Sequence, residues 1–245
     1  MATLEIKNIE VSAEGKTVVK DVSLSLASGE AHIIMGRNGS GKSSLLNAIM
    51  GHPGYSVKRG TITLDGDDIL TLPTEEKARR GIFLSLQHAP EIDGVGVAHF
   101  LHTTYEAFTG TKVPAMEFHR GLKEKAVQFG AEGLLAREVN VGFSGGEKKL
   151  LEALLLSLVM PKFAFLDEID SGVDIDAQKR VFAALRVLRS GEKTCFVLVS
   201  HSVHILDHID PDRVYVMAGG EIIESGGSDL IAKIRTNGFD RVTAK

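Results

Sequence analysis

Ala31-His32-Ile33-Ile34-Met35-Gly36-Arg37-Asn38-Gly39-Ser40-Gly41-Lys42-Ser43 changes texture twice within a short span. Its apolar opening, bounded upstream by Ser28-Gly29, has the length of a buried central strand. Glycines at 36, 39 and 41 then break the run, and Leu45, Leu46, Ile49 and Met50 follow at helical spacing. A strand that passes through a glycine loop straight into a helix is a βα corner. Repeated along a chain, that alternation gives a largely parallel sheet covered on both faces.

The alternation does recur. Leu4, Ile6 and Ile9, then Val18-Val19, Val22, Leu24 and Leu26, form β-type runs separated by Glu14-Gly15-Lys16. Gly60–Leu64 and Ile82–Leu86 read as further strands, and the charged stretch Thr74–Arg80 reads as an exposed helix. From about residue 89 the pattern turns helical. Val97–Phe108 and Ala115–Phe129 carry helical spacing, and no strand signal interrupts them. After Gly146, Leu150, Leu151, Leu154, Leu155, Leu158 and Val159 make a wide apolar face that ends at Pro161. Strand-like runs return at Phe163–Leu166, Cys195–Val199 and Val214–Met217, with the helical stretch Ala177–Leu188 between the first two. The expected architecture is one α/β domain over 1–245, with a core of 1–88 and 161–245 and a helical subdomain inserted at about 89–160.

At 245 residues and 43% hydrophobic, the chain is long enough for one such domain with an insert. A net charge of −4 argues against a general cationic surface for nucleic acid. No apolar stretch reaches the length of a membrane span, and Met1-Ala2-Thr3-Leu4-Glu5 lacks the charge-then-apolar pattern of a signal peptide. Cys195 is the single cysteine, so no disulfide forms within the chain. It reads as a buried strand residue in a reducing, cytoplasmic compartment.

The glycine loop suits phosphate. Backbone N–H groups at a helix start cradle dense negative charge when the chain comes close, and glycine permits the approach. Lys42 then reaches the β- and γ-phosphates, and Ser43 holds Mg²⁺. Asp167 closes an apolar run, at the carboxyl edge of a strand where open α/β sheets bind ligands. Its expected role is to hold Mg²⁺, with Glu168 as general base toward water. Ser144-Gly145-Gly146-Glu147 repeats the logic: Ser144 is an N-cap, and two glycines expose the first N–H groups of the long helix. Two phosphate-seeking helix ends far apart in one chain point to two subunits clamping ATP between them.

On these motifs the chain resembles the ATP-binding-cassette ATPases along essentially its whole length. The phosphate loop, Gln87, Phe143–Glu147, Asp167-Glu168, Ser171-Gly172-Val173-Asp174 and His201 match in order. The resemblance implies a cassette core with antiparallel β elements beside the parallel sheet. It implies ATP and Mg²⁺ as ligands. Gly36, Asn38, Gly39, Ser40, Gly41, Lys42, Ser43 and Ser44 would line the nucleotide, with Ser43, Gln87 and Asp167 at the metal. Glu168 and His201 would be catalytic, and Ser144, Gly145, Gly146, Glu147 and Asp174 would contact ATP held by the opposite subunit.

A narrower resemblance is to the Suf-system ATPases of iron–sulfur cluster assembly. It rests on Val139–Lys149, on Leu166–Ala177, and on Pro90-Glu91-Ile92 with Gly94-Val95. A transporter cassette typically has glutamine and arginine after the signature glycines, where this chain has Glu147 and Lys148-Lys149. Leu150 departs from the Suf pattern, which tends to be basic there. Val11–Lys16 contains no aromatic for adenine to stack on. The resemblance implies scaffold partners resembling SufB and SufD, a transient ATP-dependent homodimer, no nucleic acid and no direct membrane insertion. The competing expectation is the ATPase subunit of a membrane transporter. Two finer readings accompany it. Lys148-Lys149 read most simply as solvated charges on a helix, and the sharper reading pairs Lys149 with Glu168, holding the base away from water. The apolar strip within His88–Val97, with Pro90, Ile92 and Val95, reads either as closing the core or, more sharply, as docking a partner.

Overall fold

The computed structural model describes residues 1–85, 87, 89–189, 191 and 193–237. The predicted strand end Leu86 and the strip's first residue, His88, lie outside the described residues. So does the end of the expected core beyond 237.

Strands β1 (Thr3–Ala13) and β2 (Lys16–Ala27) form a hairpin in antiparallel register, with Leu4 opposite Leu26 and Ile6 opposite Leu24. The buried apolar side chains alternate with exposed polar ones, as a sheet with one wet face requires. Strand β3 (Ala31–Met35) is buried at every position and leads to helix α1 (Lys42–Met50). Strand β4 (Tyr55–Leu64) returns to pair with β1, and the short β5 (Asp67–Asp68) pairs with β4. Together they make an antiparallel sheet in the order β2-β1-β4-β5.

Helix α2 (Thr74–Arg79) and strand β6 (Ile82–Leu84) follow. Then come β7 (Ile92–Gly96), α3 (Val97–Thr109), α4 (Ala115–Phe129), β8 (Glu138–Val139) and α5 (Gly145–Val159). The chain continues through β9 (Phe163–Asp167), α6 (Ile175–Arg189), β10 (Cys195–Ser200), β11 (Arg213–Ala218), β12 (Glu221–Gly226) and α7 (Ser228–Asn237). The second sheet runs β12-β11-β3-β10-β9-β6, parallel except for the edge strand β12. The fold is α/β with a largely parallel sheet, antiparallel strands and helices, as expected.

The register of that sheet builds the site. Val199 on β10 lies opposite Ile34 on β3 and opposite Asp167 on β9. The carboxyl ends of β3, β9 and β10 therefore stop level with one another. The glycine loop, Asp167-Glu168 and His201 leave the sheet at one edge, where ligands bind in open α/β sheets.

Among the described residues, three apolar clusters hold the chain. One lies between the two sheets around α1, and one covers the opposite face of the parallel sheet with Phe182 and Leu185 of α6. The third joins α3, α4 and α5 through Leu101, Phe118, Leu122 and Leu154.

Two local readings are corrected. The stretch read as free of strands contains the pair β7–β8, with Ile92 opposite Val139. Glycine at 94, with φ 75°, breaks the period-2 signal of so short a strand. The charged stretch at 74–80 is a helix, but its Lys77 is fully buried, because the ammonium donates to the carbonyls of Ile49 (2.8 Å) and Leu70 (3.2 Å).

Candidate functional site

The loop between β3 and α1 is drawn tightly against its neighbours. A Cβ at Gly36 would stand 2.4 Å from the Met217 carbonyl oxygen, and one at Gly41 would stand 2.6 Å from that of Val18. Gly41 caps α1 at φ 102°, a conformation open in practice to glycine. The first helical bond runs from Leu45 N–H to the Gly41 carbonyl, 2.9 Å. The N–H groups of Lys42, Ser43 and Ser44 precede it and have no intrahelical acceptor. Asn38 and Gly39 form the exposed tip of the loop, and Ser40 is buried beneath it.

Lys42 is 5% exposed, with its ammonium 2.7 Å from the Gly36 carbonyl, 3.0 Å from that of Arg37 and 3.4 Å from Ser40 Oγ. Burial pulls its pKa below the ordinary lysine value, opposed by the carboxylates of Glu168 and Asp167. Asp167, at the end of β9, is 4% exposed, and burial raises its carboxyl pKa against the pull of Ser43, Lys42 and Lys149. Its Oδ1 is buried with no hydrogen-bond partner among the described residues. A buried carboxylate oxygen left unmatched beside a serine hydroxyl is a hard-oxygen donor set, the chemistry Mg²⁺ takes.

Glu168 gathers the rest. Its Oε2 accepts from Gln87 Nε2 at 3.0 Å, and His201 Nδ1 lies 3.2 Å from its Oε1. Its backbone N–H donates to the Val199 carbonyl at 3.0 Å and its φ is +49°. That unusual turn aims the side chain off the end of the strand. Gln87, Glu168, His201, Asp167 and Lys42, dispersed in sequence, thus meet at one edge of the sheet.

Among the described residues Lys149 and Glu168 do not form an ion pair. Lys149 Nζ pairs with Glu152 Oε2 at 3.2 Å, three residues on along α5. Both oxygens of Glu168 are already engaged, and the i,i+3 neighbour is the nearer partner. Lys149 does border a cavity of about 300 Å³ with Gln87, Gly145, Glu168 and Gly172.

Ser144 caps α5. Its Oγ accepts from Glu147 N–H at 3.2 Å, while Glu147 Oε2 accepts from Ser144 N–H at 2.8 Å. This reciprocal capping box lowers the Glu147 pKa, with Arg137 adding to the effect. The two glycines serve a close approach. A Cβ at Gly145 would stand 2.4 Å from the Gly172 carbonyl oxygen, and one at Gly146 the same distance from the Ala177 Cβ. Asp174 caps α6, accepting from the N–H groups of Asp176 (3.1 Å) and Ala177 (2.9 Å). Ser144 and Gly145 are exposed. Among the described residues, neither Ser144 nor Asp174 hydrogen-bonds Lys42.

Sequence reasoning missed Arg137. Its Nη1 donates to Glu147 Oε1 at 2.6 Å, and its Nη2 reaches the carbonyls of Gly142 (3.0 Å) and Val141 (3.4 Å). The guanidinium also stands 4.2 Å from the Phe143 ring centroid. The three histidines at 201, 204 and 208 diverge: His204 faces Asp207, and His208 stacks on Phe182.

The chain matches the ABC transporter family over residues 19–171. Vegetative protein 296 of Bacillus subtilis (strain 168) is 43% identical over 242 residues, which span 98% of this chain and 92% of that one. The probable ATP-dependent transporter SufC of Escherichia coli (strain K12) is 40% identical over 245 residues, 98% of each chain. Among solved structures, MJ1267, an ATP-binding cassette of an ABC transporter, superposes with a TM-score of 0.81 at 24% identity over 100% of both chains.

Proposed function

The chain belongs to the ABC transporter family and is an ATPase, and from that premise we propose that it is the ATP-hydrolysing subunit of an iron–sulfur cluster assembly complex. The near full-length likeness to SufC supports this reading, together with Glu147 and Lys148-Lys149 after the signature glycines.

The chemistry rests on one observation, the carboxylate of Glu168 held between Gln87 and His201 at the edge that carries Lys42 and Asp167. ATP's phosphates lie along Gly36–Ser44, where the free N–H groups of α1 and the Lys42 ammonium exchange loop oxygens for phosphate oxygens. Ser43 and Asp167, with Gln87, would hold Mg²⁺, which when bound would neutralise charge on the phosphates. Glu168 accepts a proton from the attacking water, and His201 orients that water and the γ-phosphate. Ser144, Gly145 and Gly146 of a second copy close over the γ-phosphate, with Asp174 at the junction and Glu147 behind them. Two copies thus clamp two ATP molecules, and hydrolysis releases the clamp. The division into a core of 1–88 and 161–245 and a helical part of about 89–160 lets the clamp move as two pieces. The partners are scaffold subunits resembling SufB and SufD, in the cytoplasm.

The second reading, the ATPase subunit of a membrane transporter, is favoured by the name of the Escherichia coli relative, a probable ATP-dependent transporter. Among the described residues no helix is long and apolar enough to cross a membrane, so a transporter would need separate permease chains. Affinity purification from native extract separates the two readings. Co-purification of non-membrane scaffold chains, with cluster-dependent enzymes failing on deletion of this chain, is expected. Recovery of membrane permeases instead would overturn the assembly role.

A further inference from the structure

Glu147 presents a conflict at the start of α5. A carboxylate at the third position of a helix strengthens its N-terminus. The same negative charge weakens the positive potential with which that N-terminus attracts phosphate. Arg137 sits where the conflict is resolved. Its guanidinium is 2.6 Å from Glu147 Oε1, while the other carboxylate oxygen stays on the Ser144 N–H at 2.8 Å. Its Nη2 reaches the carbonyls of Gly142 and Val141, and the guanidinium covers the Phe143 ring. Every residue from Val141 to Ser144, together with Glu147, is therefore bonded to Arg137, covered by it, or capped through its carboxylate partner.

We infer that Arg137 is a positioning residue for the reaction: it cancels the Glu147 charge at the α5 N-terminus and fixes the 141–147 loop, so that a second chain's ATP can dock there. The inference rests on the proposed clamp and specifies what makes its second half competent. Arg137 touches no phosphate. It acts through Glu147 and through the loop backbone. Its own backbone carries the link further, since the Arg137 carbonyl accepts from Val97 N–H at 2.9 Å, where α3 begins.

The test uses the full chain carrying Glu168→Gln, which retains ATP, and measures the ATP-dependent monomer–dimer equilibrium by sedimentation. Arg137→Ala and Arg137→Gln are compared, each alone and combined with Glu147→Gln. Glutamine at 137 can still donate to loop carbonyls, and glutamine at 147 preserves the capping box. The pair is 36% exposed on each side, so its loss weakens each composite site about fivefold. With two sites per dimer, the dissociation constant rises about twenty-fivefold. Adding Glu147→Gln restores most of this, and the deficit shrinks at high ionic strength. ATP affinity of the monomer and its melting temperature stay close to the parent's. An unchanged dimer in both Arg137 variants overturns the inference, and so does a deficit that neither Glu147→Gln nor salt relieves. Failure of the parent to dimerise with ATP sinks the clamp itself, and the inference with it.

Discussion

Glu168 is where a single residue decides most. It holds a left-handed φ of 49° and sits at the end of a fully buried strand. Its carboxylate is 14% exposed and met by Gln87 on one oxygen and His201 on the other. An amide in its place keeps the size and loses the basicity. Glu168→Gln is therefore expected to bind ATP as the parent does and to hydrolyse it about 10²–10⁴-fold more slowly. Phosphate release under single-turnover conditions, beside nucleotide affinity, checks both halves; parental turnover would remove Glu168 from its role. Gly36–Ser43, Asp167 and Glu168 were legible in the sequence because each stands at the end of an apolar run or in a dense motif, whereas His201 entered only through the resemblance of the motif order. Arg137 was not. Its partners include backbone carbonyls and a ring, and nothing in a sequence marks a carbonyl as a recognition target. Lys149 was misread for a related reason: two charges that the fold brings near one cavity still answer first to a neighbour one helical turn away.

At the scale of elements, the helix that carries the phosphate loop is held at both ends by foreign groups. Its N-terminus is clamped by the close approach of Gly41 to Val18 and Met217. Its C-terminus has no basic residue of its own in the last turn. Lys77 of α2 supplies one, and Thr74 Oγ1 adds a bond to the Met50 carbonyl at 3.0 Å. A cation at a helix C-terminus is favourable, and burial strengthens the interaction with the last carbonyls. Burial also pulls the Lys77 pKa down, so desolvation takes back part of that gain. Lys77→Met leaves two buried carbonyls short of a donor and is expected to destabilise the fold by about 2 kcal/mol. For a chain of this size that is a fall of about 4–8 °C in melting temperature, read by calorimetry. A melting temperature unchanged within 1 °C, on the scale of about 2–4 °C per kcal/mol, would show the lysine to be a neutral filler. The sequence placed a helix here correctly but read its charges as solvated, because a lysine anchored on carbonyls looks like any other lysine in a polar stretch. The pair β7–β8 escaped for a topological reason: its strands are far apart in the chain and too short to show a period.

Across the whole molecule, the third apolar cluster adjoins the one on the far face of the parallel sheet through Phe83 and Leu188, and the segment after Gln87 runs along its margin. The strip read from the sequence as a docking surface is only half exposed. Ile92 and Val95 pack partly against that cluster, while Pro90 stands clear. Beside them lies a groove of about 240 Å³ whose lining includes Phe83, Pro90, Ile92, Phe100, Leu151 and Leu155. Asn140 fixes one wall by donating to the Pro90 carbonyl at 2.9 Å, so the groove is joined to the 141–147 loop. A partner seated there would press on the Gln87 side and on the signature side together, which is the contact a clamp needs to pass its motion outward. Because Ile92 also pairs with Val139, its substitution would confound docking with folding. Val95 is the cleaner probe. Val95→Asp places a charge in the half-buried strip, on the same strand as the groove-lining Ile92, where it opposes an apolar partner. It should cut co-purification of the partner chains about tenfold or more, as a charge buried at an interface does. ATP affinity should remain at the parental value, because Val95 packs against the third cluster, to which no residue of Gly36–Ser43 belongs. Full recovery of partners with this variant would move the docking surface elsewhere. Loss of ATP binding or of the thermal transition would instead make Val95 part of the third core.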